Sequence, residues 1–309
     1  MQTYKIKIGT RGSPLALWQA NHVRDLIAKS ENISTGDIGL EIFKTSGDLI
    51  QDQALRDFGG KGLFTKEIED ALLDGRIDLA VHSMKDVQTE LPNGLDIPCI
   101  LPREDVRDAF ISLTAKTLHD LPDGATVGTS SLRRQAQVLR LRPDLKVVTY
   151  RGNVETRLKK LDDGVADATF LAAAGLRRLG YEKHITALVE TSEMLPAVAQ
   201  GAIGIEIRAD DITAKKMIAP LNDEATNLCV TTERAFLRAL DGSCRTPIAG
   251  LATLTGDALD FTGMILKPDG REAHQFSVAG KPAEAIALGQ EVGRELLKRG
   301  GPNFLETGA

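Results

Sequence analysis

Aromatic side chains are scarce in this chain of 309 residues, where Phe, Trp and Tyr together make up 4%. The chain also lacks an excess of basic residues, since 38 Lys and Arg stand against 43 Asp and Glu and the formal net charge is −5. A nucleic-acid-binding domain usually carries positive charge and aromatic rings on which bases stack. The composition therefore argues against nucleic acid and favours a small polycarboxylate or polyphosphate as the ligand.

Long apolar runs are missing as well, and no stretch approaches the roughly 20 residues that span a bilayer. The first ten residues alternate Lys and Ile like a strand, which is unlike a secretory signal. The three cysteines, Cys99, Cys229 and Cys244, are odd in number and far apart, which fits reduced thiols. The five histidines show no metal-ligand spacing. We therefore expect a cytoplasmic protein without a metal site.

The chain does contain cations in predicted turns, beside Gly, Ser or Thr: Arg11, Lys61, Lys85, Arg133, Arg134, Arg151 and Arg157. Backbone amides at helix N-termini attract anions at the same places. A single turn arginine is usually just solvated, but seven unpaired cations in one fold would repel one another. Charge-assisted bonds to carboxylates would remove that repulsion. This placement predicts a binding site for a polyanion.

Short apolar strands alternate with amphipathic helices up to about residue 220, which is typical of an α/β fold. A strand at 5–8 leads through Gly9-Thr10-Arg11-Gly12 to Ser13, a good helix N-cap, and to Pro14 at the first helical position. A strand at 125–127 leads similarly through Gly128-Thr129-Ser130-Ser131 to a helix. The repetition predicts two similar α/β domains, each directing a helix N-terminus at a shared cleft.

The pattern changes after Asn222. A helix to about residue 240 is followed by alternating strands at 248–254, 259–266 and 273–278, separated by turn signals, and then by an amphipathic helix at about 283–299. We expect a third, α+β domain with a small antiparallel sheet.

Two side chains are candidates for chemistry. Asp86 follows the buried strand 79–83, at the strand end where α/β folds place ligands; a helix cap or an ion pair with Lys85 is an equally good reading. Cys244 lies in a turn, where nearby cations could make it a nucleophile, although most such cysteines are unreactive. The glycines at 59–62 lack the spacing of a phosphate-binding loop and favour a lid or hinge.

Several long motifs, in order, resemble the porphobilinogen deaminase family, also called hydroxymethylbilane synthase. They are Gly9 to Trp18, Gly59 to Phe64, His82 to Val87, Gly128 to Gln135, Arg151-Gly152-Asn153, Gly175 to Gly180, Leu195 to Gly204 and the loop around Cys244. The resemblance covers nearly the whole chain. It implies two doubly wound α/β domains like those of a bilobal (type II) binding protein, with a small third domain. The implied boundaries are 1–101 with 200–219, 102–199, and 220–309.

By the same resemblance, the enzyme joins four porphobilinogen molecules head to tail with loss of ammonia, on a dipyrromethane cofactor attached by a thioether to Cys244, and releases hydroxymethylbilane by hydrolysis. Asp86 matches the catalytic aspartate. Lys85, Thr129, Ser131, Arg133, Arg134 and Gly175 match residues that hold the cofactor. Arg11, Ser13, Arg151, Arg157, Arg178 and Gln200 match residues that hold substrate, while Lys61 and Phe64 lie in the expected lid. Ala199 stands where the family commonly has Gly.

The resemblance also implies a monomer that passes its product to uroporphyrinogen-III synthase. Two other classes stay open on the residues alone. A non-catalytic bilobal polycarboxylate-binding protein would share the fold and the cationic turns but would not need Asp86 or Cys244. A thiol-dependent acyl or amide transferase would use Cys244 with a histidine, although no histidine lies in a motif that would orient it.

Overall fold

The computed structural model describes residues 4–49, 62–242, 246–301 and 303–305. The chain divides into two compact units. The first consists of Met1–Glu104 and Ala202–Asn227, and the second of Asp105–Gly201 and Leu228–Ala309. Each unit is therefore built from two separate segments of the chain.

The described residues form thirteen strands and nine α-helices, numbered here along the chain. The strands are β1 (Ile6–Arg11), β2 (Ile38–Phe43), β3 (Leu79–Ser83), β4 (Leu95–Ile100), β5 (Asp108–Ser112), β6 (Thr126–Gly128), β7 (Lys146–Val148), β8 (Ala168–Ala172), β9 (Ala187–Val189), β10 (Ile203–Arg208), β11 (Ile248–Thr255), β12 (Ala258–Leu266) and β13 (Ala273–Gly280). The helices are α1 (Pro14–Ser30), α2 (Ser46–Leu49), α3 (Lys66–Leu73), α4 (Leu132–Leu141), α5 (Val154–Asp162), α6 (Ala173–Arg178), α7 (Ile212–Ile218), α8 (Glu224–Ala239) and α9 (Ala285–Gly300).

The first unit contains a five-stranded mixed sheet in the order β2-β1-β3-β10-β4. Strand β1 is parallel to β2 and β3, whereas β10 is antiparallel to β3 and β4. Fully buried Ile8, Val23, Ile27 and Ile205 belong to one core cluster of this unit. The parallel pairing brings the carboxyl ends of β1 and β3 to the same edge of the sheet.

Helix α1 begins where its sequence predicts. The Ser13 side chain accepts the backbone N–H of Ala16 at 3.3 Å, and Pro14 occupies the first turn. Strand β1 is longer than expected, because its pairing with β2 continues to the register pair of Arg11 with Phe43. Arg11 therefore closes a strand rather than lying in the turn that follows.

The second unit repeats this arrangement in the order β7-β6-β8-β5-β9. Strand β6 is parallel to β7 and β8, and β5 is antiparallel to β8 and β9. Phe110 and Phe170 are both buried in its core, with ring centroids 5.5 Å apart. The carboxyl end of β6 leads directly into α4, whose N-cap is Ser131.

The same unit also contains a three-stranded antiparallel sheet, β11-β12-β13. Phe236 of α8 packs against Phe261 of β12 with ring centroids 5.1 Å apart. Helix α9 approaches the α8 backbone so closely that a Cβ on Gly289 would lie 2.2 Å from the Thr232 carbonyl oxygen. These features confirm the expected fold class, with two α/β sheets of mixed strands and a small antiparallel sheet near the C-terminus.

Candidate active site

A cavity lies in the first unit at the carboxyl ends of β1 and β3. Its lining includes Arg11, Ser13, Phe64, His82 and Asp86. Three of these residues, Arg11, Ser13 and Asp86, carry a charge or a hydroxyl group. The cavity encloses about 400 Å³ of empty space, counting space open to solvent.

Asp86 enters this cavity from a 3-10 turn, Met84–Asp86, that follows β3 directly. The buried Met84 fixes the turn, since its backbone N–H donates to the carbonyl oxygen of Ala202 at 3.0 Å. Asp86 and Lys85 are both half-buried. Within the described residues, the Asp86 carboxylate makes no ion pair or hydrogen bond. It is therefore available to a ligand, and the alternative interpretation of an ion pair with Lys85 does not hold.

Arg11 and Phe64 meet at the rim of the cavity. The guanidinium carbon of Arg11 lies 4.4 Å from the centroid of the Phe64 ring, a distance at which a cation and an aromatic face attract each other. Phe64 thus contacts a predicted substrate-binding arginine, and the lid role of its segment stays a prediction. Lys61, the other expected lid residue, lies outside the described residues, and so does Cys244.

In the second unit, the N-terminus of α4 carries the next group of predicted site residues. Thr129 is buried, and its hydroxyl accepts the N–H of Ser131 at 3.2 Å. The Ser131 hydroxyl accepts the N–H of Arg134 at 3.4 Å and so caps the helix. Gly175 is buried in α6 of the same unit. The amides of Ser131 and Arg134 thus donate to hydroxyls of the same turn, and the anion-binding role of this helix start stays a prediction.

Arg133 and Arg134 are not solvent-facing turn cations. Both are buried, and both pair with Asp108, whose side chain is fully buried at the start of β5. Arg133 Nη1 lies 2.8 Å from Asp108 Oδ2, and Arg134 Nη2 lies 2.7 Å from Asp108 Oδ1. Arg134 Nη1 also donates to the carbonyl oxygen of Phe170 at 2.8 Å. The premise that the turn cations are unpaired is therefore wrong for these two arginines.

This pairing controls the protonation of Asp108. Burial alone would raise the pKa of the carboxyl, but the charges and hydrogen bonds of Arg133 and Arg134 outweigh it and hold the pKa well below its usual value. Burial lowers the pKa of Arg133, yet arginine starts from so high a value that it stays charged at neutral pH. Two cations and one anion leave the cluster with a net positive charge. Within the described chain, Arg133 Nε is buried without a hydrogen-bond partner.

Gln200 joins the same cluster, since its amide nitrogen donates to Asp108 Oδ1 at 2.9 Å and to the carbonyl oxygen of Val106 at 2.7 Å. The preceding Ala199 has a φ of 60°, a region that favours glycine. Its N–H donates to the buried Glu233, which also accepts the N–H of Ala252 at 2.9 Å. This carboxylate on α8 fixes the loop that carries Gln200.

The remaining predicted substrate residues lie on α5, α6 and the loop after β7. Arg157 Nε donates to the carbonyl oxygen of Gly152 at 2.9 Å, and Arg178 Nη2 donates to that of Gly201 at 2.7 Å. Arg151 and Arg157 are half-buried and lie on either side of Asn153, the N-cap of α5. Arg157 and Arg178 are thus each positioned by a backbone carbonyl within their own unit.

Sequence reasoning missed three buried acidic residues: Asp108, Glu206 and Glu233. Each is fully buried in a charged or hydrogen-bonded cluster, and each reads in the sequence as an ordinary polar position on a strand or helix. The available signal for Asp108 was its position at the start of a buried strand, where a lone carboxylate needs a cationic partner.

Two family models match the chain. The first, described as porphobilinogen deaminase, dipyromethane cofactor binding domain, matches residues 6–216, and the second, porphobilinogen deaminase, C-terminal domain, matches residues 227–298. The chain belongs to the porphobilinogen deaminase family. This family is that of hydroxymethylbilane synthase, a transferase of porphyrin, haem and other tetrapyrrole biosynthesis that polymerises porphobilinogen on a dipyrromethane cofactor. The chain is an enzyme of that activity, and the alternative of a non-catalytic binding protein is not favoured.

Curated relatives agree with the family models. The porphobilinogen deaminases of Nitrobacter winogradskyi and Nitrobacter hamburgensis are each 56% identical to this deaminase over 297 residues, 96% of this chain and 94% of theirs. Among solved structures, the periplasmic aliphatic sulphonate binding protein SsuA from Escherichia coli is 16% identical with a TM-score of 0.41, covering 76% of this chain and 70% of that one. At that score the likeness supports no statement about a ligand. Among the described residues of the deaminase, no helix is both long and apolar enough to cross a membrane.

Proposed function

We propose that the residues named by the family motifs carry the polymerisation, with Asp86 as the catalytic carboxylate. Its support is the cavity of the first unit, where the Asp86 carboxylate has no partner among the described residues and shares the lining with Arg11 and Ser13. Porphobilinogen carries an amine together with an acetate and a propionate. A carboxylate beside cations matches that combination of charges.

In this proposal the carboxylates of incoming porphobilinogen or of the extended chain are bound by Arg11, Ser13, Arg151, Arg157, Arg178 and Gln200. The planar guanidinium of arginine donates two parallel hydrogen bonds to one carboxylate. Phe64 and Lys61 belong to the lid. The supporting observation is the contact between Phe64 and the Arg11 guanidinium.

The dipyrromethane group requires cationic and hydrogen-bonding partners for its own carboxylates. The fit rests on the buried cluster at α4, which keeps a net positive charge and leaves Arg133 Nε without a partner among the described residues. Lys85, Thr129, Ser131, Arg133, Arg134 and Gly175 would hold the cofactor. Bound through a thioether to Cys244, it would supply the pyrrole carbon to which substrate is added.

Asp86 would act on the substrate amine. Its carboxyl group gives a proton to the leaving nitrogen, and the resulting carboxylate stabilises the cationic methylene that ammonia leaves behind. The carboxylate also helps to remove the α-proton later in the same condensation. Fixed arginines raise the need for such a carboxylate, because their own charge opposes the cation.

We also propose the division into domains 1–101 with 200–219, 102–199 and 220–309, supported by the separate C-terminal sheet. A monomeric, cytoplasmic enzyme that hands its product to uroporphyrinogen-III synthase completes the proposal.

Intact-mass measurement tests the attachment. The purified protein should carry an adduct of two pyrrole rings, which Cys244→Ser should lose together with activity while remaining folded. Cys99→Ala is the matched control, because Cys99 is fully buried in β4 and burial raises the pKa of its thiol to about 12, so it should keep adduct and activity. Active protein with the bare polypeptide mass would refute the assignment.

The role of Asp86 has its own test. Asp86→Asn should lower kcat by about 10² to 10⁴, the usual contribution of a general acid or base. The exposed Asp70 on α3 provides the control, since Asp70→Asn should leave kcat unchanged. An Asp86→Asn enzyme with normal kcat and a normal adduct would disprove the role.

A further inference from the structure

Three ionisable side chains cluster beneath the cavity of the first unit, and the proposed function gives them no role. They are Glu69 of α3, His82 of β3 and Glu206 of β10, and their exposed fractions are 3%, 5% and 0%. Charged groups are almost never buried this completely unless they are paired or functional.

The pairing of two strands explains why His82 and Glu206 meet. In the antiparallel ladder of β3 and β10, His82 stands opposite Gly204 and Glu206 stands opposite Ala80. The two side chains are thus diagonal neighbours on one face of the sheet. Because Gly204 and Ala80 are small, the imidazole and the carboxylate can approach, and His82 Nε2 lies 2.9 Å from Glu206 Oε2.

Glu69 adds a second carboxyl group. The amide nitrogen of Gln88 lies 3.4 Å from both of its oxygens. Burial raises the pKa of Glu69 above its ordinary value, and the charge of Glu206 acts in the same direction. Meanwhile Glu206 Oε1 is buried and has no hydrogen-bond partner among the described residues. Such a cluster lowers stability, and proteins retain clusters of this kind mainly at functional sites.

The imidazole of His82 connects the cluster to the cavity, because His82 and Asp86 both belong to the lining. An ionised Glu206 carboxylate can only accept a hydrogen bond, and with its oxygen 2.9 Å away it assigns the proton to Nε2 and leaves Nδ1 as the basic nitrogen. Nδ1 makes no hydrogen bond within the part of the chain that the structure describes. This is the arrangement in which a carboxylate orients a histidine and stabilises its protonated form.

The reaction creates a need for a second proton carrier. In each condensation the carbon–nitrogen bond of porphobilinogen breaks, a carbon–carbon bond forms, and a proton leaves a ring carbon. The leaving amine takes up one proton, so the balance closes if the proton from carbon replaces the one that Asp86 gives. Without a second carrier, Asp86 would have to donate a proton to the amine nitrogen and then accept a proton from the ring carbon.

We propose that His82, held by Glu206, accepts at Nδ1 the proton released from carbon and passes it to Asp86, which returns Asp86 to its acid form. The proposal rests on the proposed role of Asp86 and deepens it. Glu206 is a positioning residue, which fixes the ring and its protonated nitrogen. Glu69 is a second buried carboxyl group, which interacts electrostatically with Glu206.

The proposal predicts a pH dependence. The charged groups around His82 are Glu206 from β10, Glu69 from α3, and Arg11 and Asp86, which share the cavity lining. The imidazole must be neutral to accept a proton, so kcat should fall on the acid side as His82 becomes protonated. Because a neighbouring carboxylate favours the protonated imidazole, Glu206→Gln should move that acid limb to lower pH.

The test measures kcat of the holoenzyme between about pH 5 and 9, where imidazoles titrate. His82→Gln should lower kcat by about 10²-fold and abolish the acid limb, and Glu206→Gln should shift it. Activity is normalised to the adduct-bearing fraction found by intact mass. His119→Gln is the matched control, because His119 is an exposed histidine whose Nε2 lies 3.1 Å from Glu193. Its replacement should change neither kcat nor the position of the acid limb.

A second readout is independent of turnover. Nitrogen-15 NMR of the holoenzyme without substrate should show His82 protonated at Nε2 when neutral, a preference that Glu206→Gln should weaken. This measurement decides the matter even if His82→Gln does not fold. An unchanged acid limb in both variants, a neutral His82 protonated at Nδ1, or no titration of the ring would overturn the proposal. If one of these outcomes were found and Asp86→Asn still lost its activity, the role of His82 would be refuted and the role of Asp86 would stand.

Discussion

Replacement of Asp108 by asparagine tests the cluster at the start of α4 most directly. The substitution keeps the shape of the side chain and removes its charge. Arg133 and Arg134 would then remain buried, with exposed fractions of 4% and 5%, and without the anion that pairs with both. Their hydrogen bonds to carbonyl oxygens cannot replace that charge.

The expected loss follows from the cost of a broken buried ion pair, about 3 to 5 kcal/mol. Asparagine retains one oxygen that can accept from Arg134 or Gln200, so we expect the lower end, about 3 kcal/mol. For a unit of this size, each kcal/mol lowers the transition midpoint by about 2 to 4 °C. Asp108→Asn should therefore unfold roughly 6 to 12 °C below the unmodified protein.

The effect should also depend on pH. The pKa of Asp108 is lowered in the folded protein, so its contribution is fully present above the ordinary carboxyl pKa of about 4 and is lost as the pH falls below that value. The difference in unfolding free energy between the unmodified protein and Asp108→Asn should shrink below about pH 4. It should stay constant from about pH 5 to neutrality.

Calorimetry and urea denaturation at several pH values measure both effects. The control is Asp163→Asn, which breaks an exposed pair in which Lys159 Nζ lies 2.8 Å from the carboxylate and should leave the midpoint almost unchanged. A midpoint for Asp108→Asn as high as that of Asp163→Asn would show that the buried arginines do not depend on this carboxylate.

Two other substitutions test packing and burial. Gly289→Ala should lower the free energy of unfolding by about 1 to 3 kcal/mol in urea denaturation, because its Cβ would lie 2.2 Å from the Thr232 carbonyl oxygen. The control is Gly36→Ala, whose Cβ meets only ordinary contacts and which should cost less. Equal losses in the two variants would contradict the close approach of the helices. Tyr150→Phe should cost about 1 kcal/mol at neutral pH, since the Tyr150 hydroxyl donates to the Arg157 carbonyl oxygen at 2.8 Å. Burial raises the pKa of Tyr150 to about 12, so the unmodified protein should lose stability above about pH 10. Tyr150→Phe should lose less stability over that range. An equal loss in both proteins would contradict the burial of the hydroxyl.

Much of the fold could be predicted from short stretches of sequence. Ser13 and Pro14 define the start of α1, Ser131 that of α4 and Asn153 that of α5, because capping depends on residues within one turn. Strand ends were less certain. Strand β1 extends to Arg11 because of its pairing with β2, which no local pattern reveals.

Sequence reasoning predicted which residues form the site, but only part of their arrangement in space. The motifs place Asp86 at the carboxyl end of β3, and the structure confirms that position beside Arg11 and Ser13. Sequence reasoning treated Arg133 and Arg134 as ligand-binding cations in a turn. The structure shows them buried on Asp108, because a helix in an α/β layer directs its first turn against the sheet as well as toward a ligand.

The sequence by itself determined the family, the alternation of strands and helices, and the caps that begin the main helices, since each depends on neighbouring residues. Only the tertiary structure decided which charges pair. Asp108 meets Arg133 across the second sheet, and His82 meets Glu206, 124 residues later, across the first. Charges act through space, so the partner of a buried group is chosen by strand order and register, and these are set by the packing of the whole unit.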